Sequence, residues 1–216
     1  FDGNFFIGLH VLSGRVKDTD QVQLKTALRR IVTEYRPEVR LTATQNIVLA
    51  NITPDKKDAI NTLLSEHGVD TSEKQGVSEV QLASMACPAL PTCGLSLAES
   101  ERYLPDLLGT VENLLDDNGL GDERVVLRMT GCPNGCTRPY MAELGFVGRS
   151  PNKYAVYLGG NEEGTRLARL YDQNVKVDEI PEKIGGLFTR FRDERESKER
   201  FGDFCARVVW PEQGVV

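Results

Sequence analysis

Four of the five cysteines stand in two tight groups, and this constrains the fold more than any other feature of the sequence. Cys87 and Cys93 form C-x5-C, and Cys132 and Cys136 form C-x3-C. An iron–sulfur cubane needs four thiolates converging from short loops, and such loops carry Gly and Pro so that the backbone can bend and turn N–H groups toward sulfur. Both groups have that setting, in Cys87-Pro88 through Pro91 to Cys93 and in Gly131-Cys132-Pro133-Asn134-Gly135-Cys136. A single cysteine is commonly a small buried hydrophobe. Two spaced pairs among Gly and Pro point instead to ligands. Zinc is the rival occupant, because four thiolates also satisfy a structural zinc site, although zinc ribbons favour closer knuckles than these. Cys205, in FGDFCARV, has no neighbour in sequence and reads as a packed residue.

Composition removes several function classes. The net charge of −6 argues against a general nucleic-acid role, which needs a basic surface to release counterions. The late basic run RFRDERESKER (190–200) is interleaved with acids and reads as a solvated helix face. No window approaches the apolar length of a membrane span. The opening FDGNFFIGLH lacks a signal-peptide pattern and a starting Met, so the chain reads as cut from something longer. With no secretory signal, clustered cysteines point to a reducing compartment.

Along the chain, Phe5, Ile7, Leu9 and Val11 alternate on one face of a predicted strand over 5–12. Asp20 is the expected N-cap of a helix whose apolar positions Leu24, Ala27, Leu28, Ile31, Val32 and Tyr35 keep helical spacing up to Pro37. VRLTATQNIVLA (39–50) is rich in β-branched residues and predicts one strand. Thr53-Pro54 opens a helix stopped by Gly68. This makes an α+β module over 1–70, half of a ferredoxin-like split arrangement. A polar linker over 69–82 precedes a second domain, 77–216, of mixed α/β character. There the pattern predicts a long helix from Leu104 to Gly119, a strand at 124–130 turning into a helix after the second cysteine pair, and strands at 144–148 and 154–159. Helices near 162–171 and 179–197 complete it.

SMACPALPTCGLSLAESERYLPDLL (84–108) and TGCPNGCTRPYMAELGFVG (130–148) resemble the signature of the sirohaem- and 4Fe-4S-dependent sulfite and nitrite reductases. RLTATQNIVLANI (40–52), YAVYLGGNEEGTRLARLY (154–171) and FGDFCARV (201–208) match in the same order. The resemblance covers essentially the whole chain, as the C-terminal half of a pseudo-duplicated polypeptide. Asn134-Gly135 followed by Cys-x-Arg-Pro-Tyr-Met, together with FGDF, leans toward the ferredoxin-type assimilatory sulfite reductases.

The resemblance implies that Cys87, Cys93, Cys132 and Cys136 hold a 4Fe-4S cluster and that Cys136 also ligates the sirohaem iron, making it the residue closest to catalysis. Asn134 would sit against the macrocycle, and Thr42, Thr44, Gln45 and Asn46 would belong to a strand lining its cavity. The implied reaction is the six-electron reduction of sulfite to sulfide, with nitrite as the alternative anion. A non-catalytic iron–sulfur carrier or a zinc-stabilised module is the reading from another class. The implied partners are sulfite, an electron-donor protein (ferredoxin ahead of a flavoprotein subunit) and the absent N-terminal half, which would supply the cationic substrate cage. Neither Arg138 nor Arg149 is assigned to the substrate. A cytoplasmic setting, or a plastid stroma, is expected.

Overall fold

The computed structural model describes residues 3–72 and 75–210. Two residues of the expected linker, 73 and 74, lie outside the described residues, as do Phe1 and Asp2 of the opening segment. The chain divides into two compact units between Val77 and Ser78.

The first unit is a three-stranded antiparallel sheet carrying two helices. Its elements are β1 (Phe5–Leu9), α1 (Leu24–Glu34), β2 (Glu38–Leu41), β3 (Ile47–Ile52) and α2 (Pro54–Glu66), with β3 central in the order β1-β3-β2. Leu24, Ala27 and Ile31 form the buried stripe of α1, and Ile60, Leu63 and Leu64 that of α2. Both pack against Leu9, Ile47, Leu49 and Ile52 of the sheet. Each fully buried Leu or Ile contributes about 1.5–3 kcal/mol.

Two expectations for this unit need correction. The single strand over 39–50 is a hairpin, because the polar side chains at its middle bond their own backbone. Asn46 N–H donates to Thr42 Oγ1 at 3.0 Å, and Thr42 N–H to the Asn46 carbonyl at 2.9 Å. Gln45 takes a left-handed conformation, φ 65°. In addition, Asp20 does not cap α1. Gln23 occupies the N-cap position, and the Asp18 carboxylate accepts from Thr26 N–H and hydroxyl at 3.0 and 2.8 Å, after a turn closed by Thr19 Oγ1 and Val22 N–H.

The second unit is built on a five-stranded mixed sheet. It begins with the short helix α3 (Glu79–Leu82), so the expected linker is partly helical. Ser78 caps that helix and donates to the Glu112 carboxylate at 2.5 Å. There follow β4 (Met85–Ala86), α4 (Leu104–Asp117), β5 (Leu127–Thr130), β6 (Leu144–Ser150), β7 (Lys153–Leu158), β8 (Arg169–Lys176), α5 (Ile180–Glu194) and α6 (Phe201–Phe204). Sheet order follows chain order, with β4, β5 and β6 parallel and β6, β7 and β8 antiparallel. α4 buries Leu104, Leu107, Leu108, Val111 and Leu115, and α5 buries Ile180, Ile184, Leu187, Phe188 and Phe191. Phe201 and Phe204 join the last two, with ring centroids 4.9–5.6 Å apart.

No helix exists at 162–171. The segment turns at 162–164 and then becomes edge strand β8, paired from Leu158↔Arg169 to Lys153↔Lys176. Arg166 enforces the turn by donating to the Gly159 carbonyl at 2.7 Å and to Asp203 at 2.6 Å. The helix expected after Cys136 is also absent. Arg138 is left-handed at φ 56°, and only a 3-10 turn, Pro139–Met141, follows. The connection from β5 to β6 is thus the second cysteine loop itself, running about the dozen residues that a parallel crossover needs.

The C-terminal FGDF segment is fixed to the sheet through one acid. Glu143, fully buried, accepts from Val126 N–H at 2.8 Å, Gly202 N–H at 3.1 Å and the Arg200 guanidinium at 2.9 and 3.2 Å. Gly202 permits that approach, since a Cβ there would stand 2.0 Å from the Gly160 carbonyl oxygen.

Candidate cofactor site

β4 and β5 are adjacent parallel strands, with Met85 beside Arg128 and Ala86 beside Met129. Parallel neighbours release their chains on the same side of the sheet, and that end of an α/β sheet is where ligands bind. Cys87 therefore follows β4, and Gly131-Cys132 follows β5, at one edge of the fold.

Hydrogen bonds then lock the two loops together. The Met129 carbonyl accepts from Cys87 N–H at 3.3 Å, Ser100 Oγ at 2.8 Å and Thr137 Oγ1 at 2.8 Å. Gly131 N–H donates to Cys87 Sγ at 3.4 Å, while its carbonyl accepts from Leu97 and Ala98 N–H at 2.8 and 3.0 Å. Only glycine fits there, since a Cβ would lie 1.9 Å from Ser96 Oγ and 2.6 Å from the Ala98 carbonyl. Within the first loop, Cys93 N–H reaches the Ala89 carbonyl at 2.7 Å.

All four thiols are free, and their exposure is graded. Cys87 and Cys132 are buried, Cys93 is half-buried and Cys136 is exposed. Asn134, between the second pair, is exposed. Tyr140 closes the far side of that loop, donating to the Pro133 carbonyl at 3.0 Å and lying edge-on to Tyr157. Burial, with Tyr157 behind it, pushes the Tyr140 hydroxyl pKa up. Among the described residues no three His, Cys, Asp or Glu side chains stand close enough to hold one metal ion.

The fifth cysteine lies elsewhere. Cys205 is wholly buried after α6, and desolvation pushes its thiol pKa strongly up, with Glu143 adding to the shift. Arg138 directs its guanidinium toward Met85 Sδ at 3.7 Å, and Arg149 is exposed on β6.

Thr42, Thr44, Gln45 and Asn46 belong to the first unit, gathered in the β2–β3 hairpin turn and not on a strand. The Thr42 and Thr44 hydroxyls lie 3.1 Å apart, and Asn46 Oδ1 accepts from Val11 N–H at 2.9 Å. Sequence reasoning missed Arg128 and Thr130, which are buried with polar atoms lacking partners. The available signal was two polar residues alternating in an otherwise apolar strand, immediately before the second cysteine pair.

The comparisons with known proteins agree on one family. The nitrite/sulfite reductase ferredoxin-like half domain matches residues 2–67. A sulfite reductase (ferredoxin) of Synechococcus elongatus is 47% identical over 96% of this chain and 33% of its own length. A sulfite reductase (NADPH) hemoprotein beta-component of Staphylococcus haemolyticus is also 47% identical, over 92% of this chain and 34% of its own length. The chain therefore spans about a third of these relatives, and their names do not support the lean toward ferredoxin. Among solved structures, NirA of Mycobacterium tuberculosis superposes with a TM-score of 0.73 at 26% identity, covering 94% of this chain and 38% of NirA. Dissimilatory sulfite reductase I shares the fold, with a TM-score of 0.62 at 12% identity, over 94% of this chain and 67% of that one. No helix among the described residues is long and apolar enough to cross a membrane.

Proposed function

The chain belongs to the nitrite and sulfite reductase family, and on that premise we propose that it is the cofactor-holding portion of an assimilatory sulfite reductase. One observation carries this reading: two cysteine loops leave adjacent parallel strands side by side and are tied to each other through Met129 and Gly131.

The residues fit a 4Fe-4S cluster coupled to sirohaem. Cys87, Cys93, Cys132 and Cys136 form an all-thiol donor set. The Gly131 amide already donates to one sulfur, the kind of contact that tunes a cluster's potential. Cys136, the exposed thiol, would be the ligand shared with the sirohaem, and Asn134 beside it would lie against the macrocycle. Thr42, Thr44, Gln45 and Asn46 present hydroxyls and amides from one turn, a chemistry suited to the polar rim of a macrocycle. When bound, the coupled centre supplies single-electron steps to sulfite, six in all. The protein's own part is to fix the thiolates, exclude water from Cys87 and Cys132, and leave Cys136 open. The cationic groups around the anion would come from the rest of the complete polypeptide, and the electrons from a separate donor protein.

The test is an anaerobic absorption spectrum of the complete polypeptide, with iron and sulfide analysis, before and after Cys136→Ser. The expected result is iron and acid-labile sulfide with sirohaem bands that are lost or shifted in the variant. Stoichiometric zinc, or a spectrum indifferent to the substitution, would overturn the reading. Turnover of sulfite against nitrite then separates the two anions.

A further inference from the structure

Side chains alternate along β5, so Leu127 and Met129 share one face while Arg128 and Thr130 share the other. Registered neighbours in a sheet also share a face. Met85 and Gly145 flank Arg128, and Val147 registers with Thr130. The loop after Cys136 folds back over this face, because the Pro139 carbonyl occupies the space a Cβ on Gly145 would need.

Arg128 is only 9% exposed and Thr130 only 1%. Arg128 Nε has no partner, and its Nη1 reaches only the Arg138 carbonyl, at 3.3 Å. Thr130 Oγ1 has no partner either. Among the described residues no carboxylate pairs with Arg128, and the charge that acts on it is another guanidinium, that of Arg138. Folds retain a buried charge where a counter-charge or hydrogen bonds offset its desolvation. Here the chain offers one long hydrogen bond and, among the described residues, no counter-charge, two residues before the strand end that leads into Cys132.

The missing group has a definable chemistry. A guanidinium presents a planar fork that matches two oxygens of one oxyanion. A hydroxyl two residues along the same face adds a single donor. We propose that Arg128 and Thr130 form a buried oxyanion seat that takes a carboxylate arm of the sirohaem or the sulfite oxyanion itself. This rests on the sirohaem reading above and adds Arg128, which lies outside the signature segments, and a role for Thr130, the first residue of the second one.

The experiment uses the complete polypeptide as wild type, Arg128→Met, Arg128→Lys and Thr130→Val. Three quantities are read: the ratio of sirohaem to cluster iron during dialysis, the sulfite-induced shift of the sirohaem bands, and the melting temperatures with and without cofactors. For the carboxylate arm, Arg128→Met releases the macrocycle on the order of a hundredfold faster, with Lys intermediate and Thr130→Val weaker than Met. Iron and sulfide stay unchanged. Without cofactors, Arg128→Met melts about 2–4 °C higher, because an unpaired buried charge is gone. For the substrate, retention is unchanged and sulfite binding weakens by a similar factor. If both are unchanged, or if Arg128→Met lowers the melting temperature equally with and without cofactors, Arg128 serves packing alone and the seat is refuted. A wild type that carries no sirohaem overturns the cofactor reading first, and this seat with it.

Discussion

Glu143, just before β6, and Arg128, in β5, are both charged, both buried in the same unit, and treated in opposite ways. Glu143 receives two backbone amides and both ends of a guanidinium fork, so its charge is accounted for within the fold. Arg128 receives one long contact to a carbonyl. Glu143 has the bonding of a permanent structural tie, joining FGDF to β6. Arg128 has only half of a contact. Buried charges in one small domain can thus be sorted by whether the chain completes their hydrogen bonds, and the incomplete one lies beside the cysteine loops.

The comparison predicts its own breaking points. Glu143→Leu should cost the complete polypeptide about 3–5 kcal/mol in urea unfolding, because two buried amides lose their acceptor and Arg200 keeps only Glu162 and the Arg124 carbonyl. A loss below about 1 kcal/mol would mean that the tie is not structural. Gly202→Ala attacks the same tie from the backbone side and should cost about 2 kcal/mol, since the new methyl meets the Gly160 carbonyl and the Glu143 side chain. The smallest effect belongs to the first unit, where His10 is a third polar group drawn partly inside. Burial lowers its pKa from 6.5, with Asn46 opposing weakly. The unfolded chain therefore binds the proton more readily than the folded one. The stability that His10 contributes is complete above pH 6.5 and is lost as pH falls from there through the lower folded value. His10→Phe should flatten that slope in a pH series of melting curves.

Much of this was legible in the sequence. The stripes Leu104, Leu107, Leu108, Val111 and Leu115, and Ile180, Ile184, Leu187, Phe188 and Phe191, marked two helices that exist with those faces buried. Thr53-Pro54 and Gly68 marked a helix whose bounds agree within two residues. The misses share a cause. At 42–46, after Cys136 and at 162–171, local preference was overruled by side chains bonding backbone: Thr42 and Asn46 fold a strand into a hairpin, and Asn161 and Arg166 turn a helical-looking segment before β8. Composition and spacing do not encode such bonds. The cysteine pairs stood out by their spacing and their Gly and Pro neighbours. Arg128 did not, because only coordinates show that an arginine is buried and what it fails to meet.

The crossover formed by the second cysteine loop also bears on the order in which this unit folds. β6, β7 and β8 pair with their immediate sequence neighbours, so their contacts close early and at little entropic cost. β5 can join β6 only once the Cys132–Cys136 segment has been laid down, and β4 can join β5 only after α4 has closed a longer loop. Sequence separation therefore predicts that the thiol-bearing edge assembles after the meander. Without a cluster, that edge should exchange its amide protons ahead of the meander beside it. If the proposed cluster is held by these thiols, the same edge should exchange more slowly once it is bound.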